Sequence, residues 1–451
     1  MKLMIFSLGI LVVFCIMGIL SICYLKNNTS KIQPKELMIK CSVKKWMLLA
    51  FLLRLTGLIV FSFHPDHTHS EMLYWIRWTP FLAENPLPQF YTMGIGDYPP
   101  GYVYLLKIAG EFLQFFGLSY EGVIAALWYQ ILPIIFDVLT GYVIYRCTVE
   151  GCEMAKSSMA ESGMAGLLGK QLAAFYWFNP AVIFLSIIYA QLDSVHTLLI
   201  ALSIYFLMKR KVLWSGMMVS LALLVKLQTL FFGPIYLLGI LWYVFSDKDR
   251  AKSIRKVLLA GALSVVLLGV ACLPFGIENT IRQCVLTVGE DSVCALNATN
   301  LWSMLGLNFV DQQQTFCGIP YAAYGWTLMI ASVLYAMYYT WRMKEKKKEY
   351  LFLGTMLIFT LSYTFSVRMH ERYLFPALLM LLMATALSRR TVYMVWYCIL
   401  SMIAFADYAG SILIAPSYYA VFEKILILLS AMEVCTVVWI IYKTYKDLQE
   451  G

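Results

Sequence analysis

The chain alternates long apolar runs with short polar breaks. Runs near 3–25, 46–63, 122–146, 171–189, 193–208, 212–230, 231–246, 257–273, 322–341, 350–366, 373–388, 391–407 and 421–442 approach the roughly 20 residues that cross a bilayer as a helix. That makes about 13 transmembrane helices by the hydrophobic-length criterion. The expected fold class is an all-α polytopic membrane protein. Two polar breaks outgrow the rest, His64 to about Glu121 and Leu273 to Tyr321. In the first, residues 71–84 and 101–117 each read as an amphipathic helix. The second helix carries Lys107, Glu111 and Gln114 as one polar stripe on an apolar cylinder, which suits a helix lying in the membrane interface.

Composition supports this reading. The 451 residues are 61% hydrophobic and only 14% charged, with mean hydropathy +0.72. A soluble chain would carry about a quarter charged residues. The net charge of +9 gathers in loops. Lys26 to Lys45, Lys209-Arg210-Lys211, Lys248 to Lys256, Arg342 to Lys348, Arg389-Arg390 and Lys443 with Lys446 all face the cytoplasm in one consistent alternation of spans. Were 101–117 to cross, every later loop would invert and oppose that rule. The charge is thus an orientation signal, and no nucleic-acid partner is expected. The scheme places the N-terminus outside and the C-terminus inside. It reads 3–25 as an anchor, because no small-residue cleavage site precedes Lys26.

The eleven cysteines show no metal spacing, and a disulfide among Cys284, Cys294 and Cys317 stays open. His64-Pro65-Asp66-His67-Thr68-His69 offers metal-ligand types without a recognisable spacing, so no metal site is assigned. The loop 147–170 is rich in Ser, Met, Ala and Gly.

Ionisable groups at membrane depth are costly and mark function. The outer ends of the spans gather them: Glu71, Arg77 and Asp97, then Gln191 with Asp193, Lys226, Arg282, and Arg368-Met369-His370-Glu371-Arg372. Arg368, His370 and Arg372, with Lys226 and Arg282, have the chemistry to hold a phosphate. Glu71, Asp66 and Asp97 are candidate bases for an acceptor hydroxyl. Trp75, Trp78, Tyr91, Tyr98, Tyr102 and Trp302 could stack on a sugar or an isoprenoid, though aromatic side chains also collect at interfaces in general. Asp193 also reads as a helix cap, Lys226 as a snorkelling cation, and 368–372 as charges around a turn.

Several pieces carry a resemblance. They are Trp78 to Tyr91 with Asp97-Tyr98-Pro99-Pro100-Gly101-Tyr102, Asn179-Pro180-Ala181-Val182-Ile183 with Gln191-Leu192-Asp193-Ser194-Val195, Lys226-Leu227-Gln228, Asn297-Ala298-Thr299-Asn300-Leu301-Trp302, and His370-Glu371-Arg372-Tyr373-Leu374-Phe375-Pro376. In this order they resemble the GT-C superfamily of integral-membrane glycosyltransferases. The similarity is to bacterial relatives of GPI-anchor mannosyltransferases and dolichol-pathway glucosyltransferases. The resemblance implies a GT-C-like catalytic module over 46–390, preceded by an extra anchor helix and basic loop (1–45) and followed by C-terminal helices and a short tail (391–451).

It further implies an inverting hexosyltransferase of a bacterial plasma membrane, mannose-like in its sugar, with the site on the extracytoplasmic side. The donor would be a polyprenyl-phosphate-linked sugar and membrane lipid the other partner; the oligomeric state is not implied. Relatives place an Asp seven residues before the Trp aligned with Trp78, where this chain has Glu71. The expected catalytic order is Glu71, then Asp66, with Asp97 capping the turn into the interfacial helix. Gln191, Asp193 and Trp302 join Trp75, Trp78, Tyr98 and Tyr102 as substrate-binding candidates. No cofactor is assigned, and a divalent cation stays open. The rivals are a lipid-linked-sugar transporter or flippase, a polymerase or ligase, and a non-catalytic subunit. The lack of an internal repeat and the one-sided polar residues favour the enzyme over the transporter.

Overall fold

The computed structural model describes residues 42–62, 71–154 and 164–450. The first span, the His64–His69 stretch with Asp66, and the centre of loop 147–170 lie outside the described residues. Helices dominate: α1 (Val43–Ser62), α2 (Met72–Glu84), α3 (Leu87–Thr92), α4 (Pro100–Phe115), α5 (Val123–Met154), α6 (Met164–Trp177), α7 (Pro180–Ile183), α8 (Asp193–Met208) and α9 (Val212–Val225). After a 3₁₀ turn at Leu227–Phe232 follow α10 (Gly233–Phe245), α11 (Arg250–Cys272), α12 (Ile277–Glu290), α13 (Leu301–Met304), α14 (Tyr321–Met343), α15 (Tyr350–Phe365), α16 (Phe375–Ser388), α17 (Thr391–Leu413) and α18 (Ala415–Gln449).

Two-residue strands make two small sheets among the described residues. β1 (Ala295–Leu296) pairs in parallel with β4 (Met369–His370), and β2 (Thr315–Phe316) pairs antiparallel with β3 (Ile319–Pro320).

Seven helices among the described residues are long and apolar enough to cross a membrane, or up to eight with the bent pair Met164–Trp177 and Pro180–Ile188. α8, α9 and α15 are apolar but shorter. The chain is a multi-pass integral membrane protein. Every expected span that falls on described residues meets a helix, so the all-α polytopic class holds. Fewer helices qualify than the expected spans, because α8, α9 and α15 are short and α14, although 23 residues long, is less apolar. The expected continuous span 171–189 is corrected. Asn179-Pro180 breaks it, Asn179 caps α7 by accepting from the Ala181 amide at 2.9 Å, and the two halves bend by 47°. The loop expected over 147–170 is also shorter than read, since α5 runs to Met154 and α6 starts at Met164.

Beyond the break the backbone forms a π-helix, Phe184–Ile188. Such turns cost hydrogen-bond geometry and gather at functional sites. Here a buried ion pair fixes it. Arg54 Nε of α1 donates to Asp137 Oδ2 of α5 at 2.8 Å, and both side chains are fully buried. Asp137 also accepts from Ser186 Oγ of the π-helix at 2.7 Å and from Tyr176 at 3.2 Å, while Arg54 donates to the Trp177 carbonyl at 3.0 Å.

The two amphipathic segments of the first loop are helical as expected. α2 packs on α4, with Lys107 and Glu111 paired at 3.1 Å on the less buried face of α4. The Tyr-Pro-Pro-Gly-Tyr motif has a packing reason. Pro99 and Pro100 occupy the N-cap and first helical positions of α4, where a missing amide costs nothing. A Cβ on Gly101 would lie 2.6 Å from the Leu224 carbonyl oxygen of α9. Gly101→Ala should therefore push α4 off α9 and cost about 1–3 kcal/mol, the usual range for overpacking. A thermal midpoint measured in bilayer discs reads this directly; an unchanged midpoint would refute the close approach.

Candidate functional site

Three breaks in the bundle converge at one end. They are 189–192 before α8, Lys226 after α9, and 366–370 after α15. The same helices carry the basic clusters at their opposite ends. α8 starts at Asp193 and ends beside Lys209, which pairs with Glu150 at 3.2 Å, and Arg210, which pairs with Asp247 at 2.7 Å. Sixteen helical residues separate those ends by about 24 Å. α15 and α16 likewise run between the site and the neighbourhood of Lys347 and Arg390, both of which pair with Asp447.

At the site end Arg372 is the hub. It lies 3.4 Å from Glu71, 3.1 Å from Glu371 and 3.3 Å from His370 Nδ1. Glu71 is 7% exposed and also accepts from Gln191 Nε2 at 2.9 Å; its amide donates to the Tyr189 carbonyl at 3.1 Å. Tyr189 in turn donates to Glu371 at 2.6 Å. Glu71 and Arg372, 301 positions apart, therefore join the acidic and cationic groups in one network. Ala190, in the left-handed region at φ 58°, turns the chain between them and accepts from Trp75 Nε1 at 3.1 Å.

A second buried pair lies beside the first. Lys226 Nζ donates to Asp193 Oδ2 at 2.7 Å, and His196 Nε2 stands 3.6 Å from Asp193 Oδ1. Leu192 is the N-cap of α8, so the capping reading of Asp193 is corrected: its carboxylate serves Lys226. Lys226 does not snorkel; it is held inside.

The hairpin at 366–372 is held by the second long loop. Arg368 adopts φ 63°, its amide donates to the carbonyls of Val293 and Cys294, and Nε donates to Gln312 at 3.1 Å. His370 Nδ1 faces the Arg372 guanidinium, so its proton sits on Nε2 and goes to Asp291 Oδ2 at 3.0 Å. That hydrogen bond, with the charges of Arg372 and Arg368 adding to it, holds the Asp291 carboxyl below its usual range.

These groups surround a cavity of about 410 Å³. Asp97, Asp291, Lys226, Arg368 and Arg372 supply its charges, and Tyr98, Gln228, Ser366 and Tyr373 further polar atoms. Leu230, Phe231, Met329, Val333 and Trp326 make an apolar wall. Burial keeps the Tyr98 phenol neutral, its pKa pushed well up. The capping role expected for Asp97 is corrected: Pro99 is the N-cap of α4, and Asp97 is half-buried on the cavity wall.

Other candidates fall elsewhere. Trp75, Trp78 and Tyr102 pack against one another or against Tyr98 and Phe90 in the core, and Tyr102 donates to the Tyr129 carbonyl. Trp302 is buried and donates to the Phe365 carbonyl at 3.2 Å. Gln191 lies behind Glu71, and Arg282 is exposed on α12, away from the cavity lining. Cys284, Cys294 and Cys317 are free thiols. Among the described residues no group of three or more His, Cys, Asp or Glu is placed to hold a metal. Asp291 escaped the sequence reading. Its signal was faint, an acidic pair closing the amphipathic stretch 277–290.

No curated protein matches the chain. One family model does, the GPI transamidase subunit PIG-U, over residues 81–289. The match takes in Asp97, Asp193, Lys226 and Arg282, begins after Glu71, and ends before Asp291 and 368–372.

Proposed function

We propose that the chain is a GT-C-like membrane glycosyltransferase that moves a mannose-like hexose from a polyprenyl-phosphate donor to an acceptor hydroxyl outside the cytoplasm. One observation carries this reading. A cavity lined by three cations, Lys226, Arg368 and Arg372, also has an apolar wall whose Leu230, in the 3₁₀ turn, is 59% exposed and whose Trp326, on α14, is 39% exposed. A phosphate suits Lys226, Arg368 and Arg372, and an isoprenoid leaving sideways into the bilayer suits that wall. The basic clusters at the far ends of the helices support the extracytoplasmic side.

The chemistry is one displacement. A carboxylate takes the acceptor O–H proton, the oxygen forms a bond to the anomeric carbon, and the bond from that carbon to the phosphate oxygen breaks. The electron pair leaves on polyprenyl phosphate, whose charge the cations stabilise. Asp97 is the base that fits, because it faces the cavity. Asp291 is held ionised by His370 and is the weaker proton acceptor. Glu71 orients Arg372 from behind.

The test is purified protein with labelled polyprenyl-phosphate sugars. One of them should be consumed, and Asp97→Asn should slow turnover by about 10²–10⁴, the range for loss of a general base. If Asp97→Asn and Glu71→Gln both transfer at the wild-type rate, the assignment falls. The PIG-U match favours a second reading, a subunit that binds a lipid-linked glycan without acting on it. It predicts saturable binding of the polyprenyl phosphate with no consumption of any sugar.

A further inference from the structure

The helix after α11 is unlike its neighbours. α11 is a span of which 6% of the apolar window is buried inside the protein. It ends at Leu273, 61% exposed, and a turn through Gly276 at φ 83° starts α12 immediately. α12 therefore begins where the span leaves the hydrocarbon. Ile277, Ile281 and Val285, spaced by four, form one exposed stripe at 43%, 57% and 67%, continuous with Val270 and Leu273 at the end of α11. Glu278 and Arg282 lie exposed on the adjoining face. The opposite face is packed. Thr280 is buried, α12 contacts α3, and Thr287 Oγ1 lies 3.5 Å from the Asp97 carbonyl.

We infer that α12 lies flat on the lipid leaflet in which α11 ends, its Ile277–Ile281–Val285 stripe in the acyl boundary and Arg282 among anionic headgroups. A stripe of this kind enters about 5–10 Å below the headgroups, and basic residues beside it gain from anionic lipid. The occupant is lipid because the stripe extends the lipid-facing side of α11 with one turn between them. This gives Arg282 a ligand away from the cavity. It also seats Asp97 and Asp291 relative to the membrane, because Thr287 reaches one and the chain after α12 carries the other. The inference holds whether or not the cavity transfers sugar.

The full chain in bilayer discs of mixed anionic and zwitterionic phospholipid tests it. A photoreactive benzophenone side chain installed at Val285 should form phospholipid adducts, resolved by mass, and the same group at Glu278 far fewer. Arg282→Ala should lower the anionic share of those adducts and Arg282→Lys restore it. Absence of lipid adducts at Val285, an anionic share indifferent to Arg282→Ala, or a protein adduct at Val285 in native membranes would each overturn the inference.

Discussion

Arg372→Ala should slow sugar transfer severely and lower the unfolding midpoint in the same variant. The guanidinium serves three neighbours, Glu71 at 3.4 Å, Glu371 at 3.1 Å and His370 at 3.3 Å, and it also lines the cavity. Removing it leaves Glu71 and Glu371 at 7% and 3% exposure without their cation. Breaking a buried pair from one side costs about 3–5 kcal/mol, because the remaining charge stays desolvated. The catalytic loss adds the missing stabilisation of the leaving phosphate, about 10²–10³ in turnover for one such donor. Arg372→Lys should recover little, since one ammonium cannot reproduce a planar fork reaching three partners. Glu71→Gln in the Arg372→Ala background should restore part of the stability and none of the transfer. Wild-type turnover by Arg372→Ala would remove the cavity from the chemistry.

The outline of this protein was legible because lipid imposes a simple rule. Every backbone polar group must be satisfied inside the bilayer, so apolar length alone marks most spans. The polar residues worth naming were legible too, because charge at membrane depth is rare. Glu71, Asp193, Lys226 and Arg372 stand out against greasy surroundings. Their pairing was not legible. Asp193 and Lys226 are 33 positions apart, and each has a common bland role, cap or snorkel, that a linear pattern cannot reject. The aromatic residues misled for a related reason. Trp75, Trp78 and Tyr102 have the composition of a sugar platform, yet they are buried where α2 packs on α4, edge-on against one another and against Tyr98 and Phe90. Backbone turns at Ala190 and Arg368, both left-handed and neither glycine, leave no mark in the sequence. The Arg54–Asp137 pair that anchors the π-helix was hidden inside runs read only as spans.

The Asp193–Lys226 pair separates structure from chemistry. Asp193 is fully buried, while Lys226 is nearly so and lines the cavity. Lys226→Met leaves Asp193 as an ion with His196 at 3.6 Å as its remaining neighbour, and Asp193→Asn leaves Lys226 beside Arg372 in the same wall. Each single variant should lose about 3–5 kcal/mol of stability. The double variant Asp193→Asn with Lys226→Met removes both charges and should regain most of it, since replacing a buried pair by neutral groups is often close to neutral. Transfer should behave differently. Lys226→Met and the double variant should both be inactive, because neither can hold the phosphate, while Asp193→Asn should keep weak activity from a misplaced ammonium. A double-mutant cycle on the thermal midpoint, run beside the sugar-transfer assay, reads both quantities. Strict additivity of the two stability losses would mean that the pair is not coupled. Full transfer by the double variant would mean that the ligand is held by other residues.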